Sequence, residues 1–267
     1  MLLEGIEMSG CRSNASGRVD PMNTLLAEAL QAHGGLARWQ EFRTLAATIN
    51  TGGAFWGMKG LVQDDQPRRI KLDLAREWSS LEPFGGPDWR SEFTPGRIAI
   101  VDGEEEIIAE RVNPRDAFAG HTMTTPWDPL HRAYFNGYAL WTYLTTPFIL
   151  AEAGFEVSDI PPIRDGGQTW CGLRASFPDR IATHSRQQDF YFDQDGRMRR
   201  HDYQIDVAGG FASAHLVCEF VEVQGLQFPT RRRAYQRNDD LTVRFDPLMV
   251  SIDVSDISLG ATGHEKA

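Results

Sequence analysis

The plainest alternation of apolar and polar positions runs from Gln187 to Leu259. It passes through Asp189–Phe192, Arg197–Val207, Ala212–Val223, Leu226–Arg237, Leu241–Phe245 and Met249–Leu259. Between these runs stand Asp193-Gln194-Asp195-Gly196, Ala208-Gly209-Gly210, Gln224-Gly225, Asn238-Asp239-Asp240 and Asp246-Pro247. A period of two marks half-buried strands, and short Asp, Asn and Gly breaks mark hairpins. The stretch therefore predicts an antiparallel meander of five or six strands. Earlier strands are predicted at Thr44–Asn50, bent at Gly52-Gly53 before Phe55-Trp56, and at Leu61–Gln63. A single alternating strand follows Pro67. It puts Arg68, Ile70, Leu72, Leu74, Arg76 and Trp78 on one face and Arg69, Lys71, Asp73 and Glu77 on the other. Trp89–Phe93, Arg97–Val101 and Glu106–Val112 continue the pattern, with turns at Pro95-Gly96 and Asp102-Gly103.

The period becomes helical twice. Asp20-Pro21 reads as a cap followed by proline in the first turn. Leu25, Leu26, Ala29, Leu30 and His33 then share a face, and Gly34-Gly35 ends the helix. Trp39 and Phe42 follow in a short turn that anchors this helix to the sheet. From Pro114 to Gly154 a second helical block is predicted. Asp128-Pro129 repeats the cap-plus-proline signature. Leu130, Tyr134, Gly137, Leu140 or Trp141, and Leu144 trace an apolar stripe, and Pro147 separates this helix from Phe148–Ala153. The block also carries Phe118, Trp127, Phe135, Tyr138, Tyr143 and Phe155. So much aromatic area must be buried against something apolar, and the strands are the available partner. Phe155–Ile160 and Gln168–Phe177 return to strand, with Pro161-Pro162 and Asp165-Gly166-Gly167 between them. The pattern gives one α+β, mainly antiparallel β domain over 20–259. Residues 1–19 form a disordered extension and 260–267 a disordered tail.

Composition narrows the function classes. The chain has 267 residues, 41% of them hydrophobic, enough for one large core. Its formal net charge of −10, with no concentrated basic face, argues against nucleic acid. Arg231-Arg232-Arg233 would alternate faces on a strand, as solvated or paired side chains. Three cysteines, Cys11, Cys171 and Cys218, make neither a disulfide framework nor a zinc motif. A Cys171–Cys218 bridge is open. Met1–Ser9 has Glu4 and Glu7, no basic start and no apolar core of about 7–15 residues, so as written it is not a signal peptide. The expectation is cytoplasmic. If the true start lies elsewhere, Met8-Ser9-Gly10-Cys11, which resembles a lipoprotein cleavage box, points to the cell envelope. No run of about 20 apolar residues predicts a membrane span. There is no phosphate loop, no Gly-x-Ser-x-Gly and no His-Glu-x-x-His, and no cofactor or metal is expected.

Two clusters could carry chemistry. His121, Trp127, Asp128, His131 and Tyr134 gather at the second helix's start, where an acid, an imidazole and a phenol could do general acid–base work. The plainer reading makes Asp128 a cap and the aromatics core. His201 and Tyr203 share a strand face with Ile205 and Val207; whether His215 on the next strand joins them depends on register. The plainer reading leaves these on a wet face. The loop Pro83-Phe84-Gly85-Gly86-Pro87, between Glu82 and Asp88, is either a connector or a flap.

Three stretches carry a family resemblance: Ala32-His33-Gly34-Gly35-Leu36 with Trp39, Phe192-Asp193-Gln194-Asp195-Gly196-Arg197-Met198, and Gly225-Leu226-Gln227-Phe228-Pro229-Thr230. With the order helix, strands, helical pair, strands, they resemble the lipoprotein-localisation-factor (LolA/LolB-like) superfamily over roughly Asp20 to Leu259. The resemblance implies a curved, incomplete β-barrel with helices across its concave face. It also implies a cavity that binds or carries a lipophilic small molecule or acyl chain. Trp127, Tyr134, Tyr138, Trp141, Phe148, Leu72, Leu74, Trp78, His201 and Tyr203 are its expected lining. Two alternatives stay open: an isomerase, cyclase or hydrolase using His121, Asp128, His131 and Tyr134 in the same cavity, and an interaction module pairing through an exposed sheet edge.

Overall fold

The computed structural model describes residues 22–63 and 66–261. The elements in chain order are helices α1 (Thr24–Ala32) and α2 (Leu36–Trp39), strand β1 (Phe42–Gly52) and helix α3 (Phe55–Met58). Strands β2 (Arg68–Asp73), β3 (Trp78–Glu82), β4 (Arg90–Thr94), β5 (Arg97–Val101) and β6 (Ile107–Val112) follow. Helix α4 (Pro129–Thr145) comes next. It is succeeded by β7 (Glu156–Asp165), β8 (Gln168–Ser176), β9 (Gln187–Phe192), β10 (Met198–Ile205), β11 (Phe211–Val223), β12 (Leu226–Arg237), β13 (Val243–Arg244) and β14 (Val250–Ala261).

All fourteen strands belong to one antiparallel sheet, ordered β6-β5-β4-β3-β2-β1-β14-β12-β11-β10-β9-β8-β7, with β13 beside β12. It does not close: the first strand in that order pairs only with β5 and the last only with β8. The two edge strands, β6 and β7, are consecutive in the chain. Their connection must travel from one edge to the other, and it carries α4 across the hollow of the half-barrel. The middle is stitched where β1 meets β14, which pairs the first strand of the chain with the last.

Helix α4 lies on β3, β4 and β5. Gly137 permits the contact: a Cβ there would stand 2.3 Å from Cγ of Phe93. Ser79 Oγ donates to the Gly137 carbonyl at 3.2 Å and Trp141 Nε1 to the Asp73 carbonyl at 2.9 Å. The expected stripe covers only part of the helix, since every residue from Ala133 to Thr145 is buried. A helix buried on all sides belongs to a core rather than a surface.

Several boundaries differ from the pattern. Asp20-Pro21 falls outside the described residues; the first helix is capped by Asn23, whose Oδ1 accepts from the Leu26 N–H at 3.0 Å. The single strand predicted after Pro67 is a hairpin. Asp73 Oδ1 accepts from the Ala75 and Arg76 amides at 2.9 and 3.2 Å, turning the chain so that Asp73 pairs with Trp78. Phe55-Trp56 begins a helical turn, and Leu61–Gln63 is not a strand. β7 runs straight through Pro161-Pro162 with a bulge, which an edge strand tolerates because one side needs no donors. β14 continues through Gly260 and Ala261, paired with Thr44 and Phe42. Cys218 is a free thiol whereas Cys171 is in a disulfide, so the Cys171–Cys218 bridge is not made. Among the described residues, no helix is long and apolar enough to cross a membrane.

Candidate functional site

Where α4 faces the other half of the sheet it does not seal. Asn136, Ala139, Leu140 and Tyr143, at the i, i+3, i+4, i+7 spacing of one helix face, stand over Tyr203 and Ile205 of β10, Ser213 of β11, Ala234 of β12 and Ile252 of β14. Phe55, Trp56 and Met249 complete the wall. The cleft between them is slender, with a cavity volume of about 20 Å³, well short of what a drug-sized ligand fills. As it stands it has room for about one water. Ala139 and Ala234 are the residues whose small size leaves the space.

The inner wall is polar. Tyr143 OH lies 2.6 Å from His184 Nε2 and 2.7 Å from Tyr203 OH. Tyr203 OH in turn lies 3.2 Å from His215 Nδ1. Two hydroxyl protons thus span three contacts. Either every donor points toward His215 or every donor points toward His184. His184 also stacks on Tyr203, centroids 4.1 Å apart at 5°. Beside this relay, Gln188 Nε2 donates to Thr183 Oγ1 at 2.6 Å and to the Ser185 carbonyl at 2.9 Å. That leaves Gln188 Oε1 to accept from His201 Nε2–H at 2.6 Å, which fixes the His201 tautomer.

Burial sets the charge states. It pushes His184, His201 and His215 well below the usual histidine range, with the cations Arg115 for His184 and Arg232 for His215 adding to the effect. It pushes Tyr143 well up and Tyr203 up to about 12. All five are neutral near neutral pH.

Arg232 lies behind Tyr143, which lines the cleft. Its side chain, 1% exposed, points inward from β12, opposite Val217 and Ile252. Nη2 donates to the Tyr143 carbonyl at 2.5 Å, and the guanidinium sits 5.1 Å over the Tyr143 ring. Nε and Nη1 are buried without a hydrogen-bond partner. No carboxylate among the described residues pairs with it, whereas its neighbours Arg231 and Arg233 pair with Glu219 and Asp253. Burial lowers Arg232 to about 10, so it stays charged.

Of the residues expected to line the cavity, Tyr203 does so directly. His201 is next to it, stacked on Phe190 at 4.2 Å. Register settles the open question: His201 lies directly opposite His215, so both face inward, and that face is buried rather than wet. Tyr138 lies behind the cleft against His184, ring centroids 5.1 Å apart. Trp141, Leu72 and Leu74 are core on the β2–β3 side, and Trp78 is half-buried. Phe148 stacks on Trp39 at 4.4 Å, and Trp127 packs among Phe55, Phe118 and Phe135.

His121, Asp128, His131 and Tyr134 do come together, at the start of α4, but none lines the cleft. Asp128 Oδ1 accepts from the His131 N–H at 2.8 Å and its Oδ2 pairs with Arg111 at 2.6 Å. Burial opposes ionisation there, yet the Arg111 guanidinium and the His131 N–H hold the carboxyl below its ordinary value. Both His131 ring nitrogens are engaged: Nδ1 with Asp128, and Nε2 with the Ala117 carbonyl at 3.2 Å. His121 packs 5.0 Å from His131 with its Nδ1 unpaired, and burial lowers it. Tyr134 packs on Phe93 at 5.5 Å, and burial raises it.

His184, Tyr143 and Arg232 were not singled out from sequence as site residues. His184 sits in an irregular segment with no period to read. Arg232 looked like one of three surface arginines.

No family model matches the chain, and no curated protein sequence matches it. Among solved structures it is similar to a candidate outer membrane lipoprotein-sorting protein domain from Vibrio parahaemolyticus. The two share 11% identity with a TM-score of 0.52, over 90% of this chain and 94% of that one. It is also similar to a DUF1329 family protein from Desulfovibrio piger, at 10% identity and TM-score 0.51, over 92% and 95%. A LolA superfamily protein from Nitrosomonas europaea aligns at 12% identity and TM-score 0.48, over 90% and 94%. The fold is thus the open, curved half-barrel expected from the sequence, shared with the Vibrio and Desulfovibrio structures over nearly their full length.

Proposed function

We propose that the protein binds or carries a lipophilic small molecule or acyl chain in the cleft between α4 and strands β10 to β14. The observation that carries this reading is the unsealed contact. The helix packs tightly on β3–β5, yet over the other half of the sheet a mostly apolar space remains with one polar wall. Concave, mostly apolar sites with a few fixed polar groups are what small-molecule ligands require. The narrow enclosed part means that a chain-like ligand must widen the gap as it enters, so the occupied form has α4 displaced from β10–β14.

Binding is favoured over catalysis by the charge states. Good general acids and bases have values near the working pH, whereas the relay histidines and tyrosines are held far from it. They serve as hydrogen-bond partners. The name of the Vibrio relative and the disulfide at Cys171, a bond that persists in oxidising compartments, support a place in the cell envelope.

The test is native mass spectrometry of protein purified from its own host, alongside the Ala139→Trp variant. The wild type is expected to retain an added lipid-sized mass that the variant lacks. A wild type with no bound mass, and no uptake of added lipid, would contradict the reading.

A further inference from the structure

Buried cations in folded proteins come with partners: the single side-chain nitrogen of buried Lys59 donates to the Thr122 carbonyl and sits over the Phe55 and Trp127 rings. Arg200, 5% exposed, makes two contacts with Asp202 at 2.6 and 2.7 Å. Arg232 does not. It has one carbonyl, one ring face and two unpaired nitrogens, in a place that water does not reach. A fixed charge without a counter-charge in such surroundings is strongly unfavourable. The groups around it are all neutral: Tyr143, Tyr203, His201 and His215. His215 adds another unpaired buried nitrogen, Nε2.

Tyr143 and Tyr203 connect these groups to the cleft. Tyr143 is shared, since its side chain lines the cleft while its carbonyl holds Arg232. Arg232 and Ala234 point inward from the same strand two residues apart, and Ala234 lines the cleft. Ile252, directly opposite Arg232 on β14, lines it too. The other walls include Phe55, Trp56, Leu140 and Met249, and the partly exposed lining residues are Thr51, Phe211 and Val250. The site therefore joins one positive charge and two hydroxyls on one wall to hydrocarbon on the others.

Resting on the lipophile-binding reading, we infer that the ligand is an anionic amphiphile. Its single carboxylate or phosphate head is held by Arg232 Nε and Nη1 with the Tyr143 and Tyr203 hydroxyls, and its tail lies against Phe55, Leu140 and Met249. The planar guanidinium offers parallel N–H donors that match either head group. The two-way relay suits this role. With His184 Nε2–H donating to Tyr143, and Tyr143 to Tyr203, the last proton points to His215. An arriving anion reverses no charge and only turns hydroxyls toward itself. The negative head supplies the counter-charge that the protein omits.

The experiment uses the full chain and the fluorescence of Trp56 in the cleft wall. It compares dodecanoate, dodecyl phosphate, methyl dodecanoate and dodecanol near neutral pH. One or both anions are expected to bind about tenfold or more tighter than the neutral compounds, and the better anion identifies the head group. In Arg232→Met the preference disappears while the neutral compounds still bind, and the unliganded variant melts no lower than the wild type. Equal binding of anions and neutral compounds by the wild type would overturn this inference and leave the lipophile reading standing. Binding of none of the four would overturn both. Should Arg232→Met fail to fold, the wild-type comparison decides the question alone.

Discussion

The two sides of α4 meet the same sheet in opposite ways. On the β3–β5 side the contact is solid: Gly137 lets the helix backbone rest on Phe93, and the polar contacts are single bonds to backbone carbonyls. On the β10–β14 side, small residues leave a cleft. Its inner wall is a run of buried imidazoles, phenols and one unpaired arginine. One side is built for cohesion. The other keeps polar groups out of water where hydrocarbon would have packed better, and structure held at that cost is where ligands act. The difference teaches that the helix is anchored by one half of the half-barrel so that the other half can open.

The largest effect should come from acid. His184, His201 and His215 are held below the ordinary histidine value, so the unfolded chain binds protons that the folded one refuses. Stability is level above about pH 6.5 and falls below it, by about 1.4 kcal/mol per pH unit for each histidine while the folded side chain stays neutral. Glu77 works oppositely. Burial raises its carboxyl well above the ordinary value, so the folded state takes up its proton first. The net is a steep loss, measurable by urea unfolding across a pH series. Hydrogen exchange should show β10 and β11 losing protection before β3–β5, because β2–β6 contain no histidine. Simultaneous loss would erase the proposed asymmetry.

Next in size is Gly137→Val, which forces a side chain into Phe93. A loss of about 3 kcal/mol is expected in denaturant unfolding, while the same volume added at Ala139 should cost less because it enters free space. Tyr143→Phe removes the hydroxyl joining His184 to Tyr203 and leaves a buried acceptor or donor unmet. About 1–2 kcal/mol should be lost, with ligand affinity falling as well. The smallest effect is Asp128→Ala, which deletes the α4 cap and the Arg111 pair at a partly exposed site. About 1 kcal/mol is expected, with no change in ligand binding. The folded Asp128 carboxyl is lowered, so its contribution is present above about pH 3.9 and lost as pH falls through that value toward the folded one. The variant and wild type should therefore converge in acid.

Most of the architecture was legible because it is written in short-range chemistry. Asp128-Pro129 capped α4 where expected, and Asp193–Gly196 and Gln224-Gly225 turned hairpins where expected. The β2–β3 hairpin was missed because its turn, Leu74 to Glu77, keeps the alternation of a strand; only the Asp73 side chain makes it a turn. The site was harder. His201 facing His215 depends on register across a hairpin, and Arg232 turning inward depends on which face of β12 the hollow occupies. His184 depends on a coil that returns over α4. Each is fixed by tertiary geometry that local pattern does not encode.

The most direct test is photo-crosslinking with a diazirine-bearing fatty acid, mapped by peptide mass spectrometry on the full chain. Crosslinks should fall on Phe135–Tyr143, on Tyr203–Ser213 and on Met249–Ile252, the segments bordering the cleft. Crosslinks confined to the β3–β5 side of the sheet or to the edge strands β6 and β7 would contradict a ligand lodged between α4 and β10–β14.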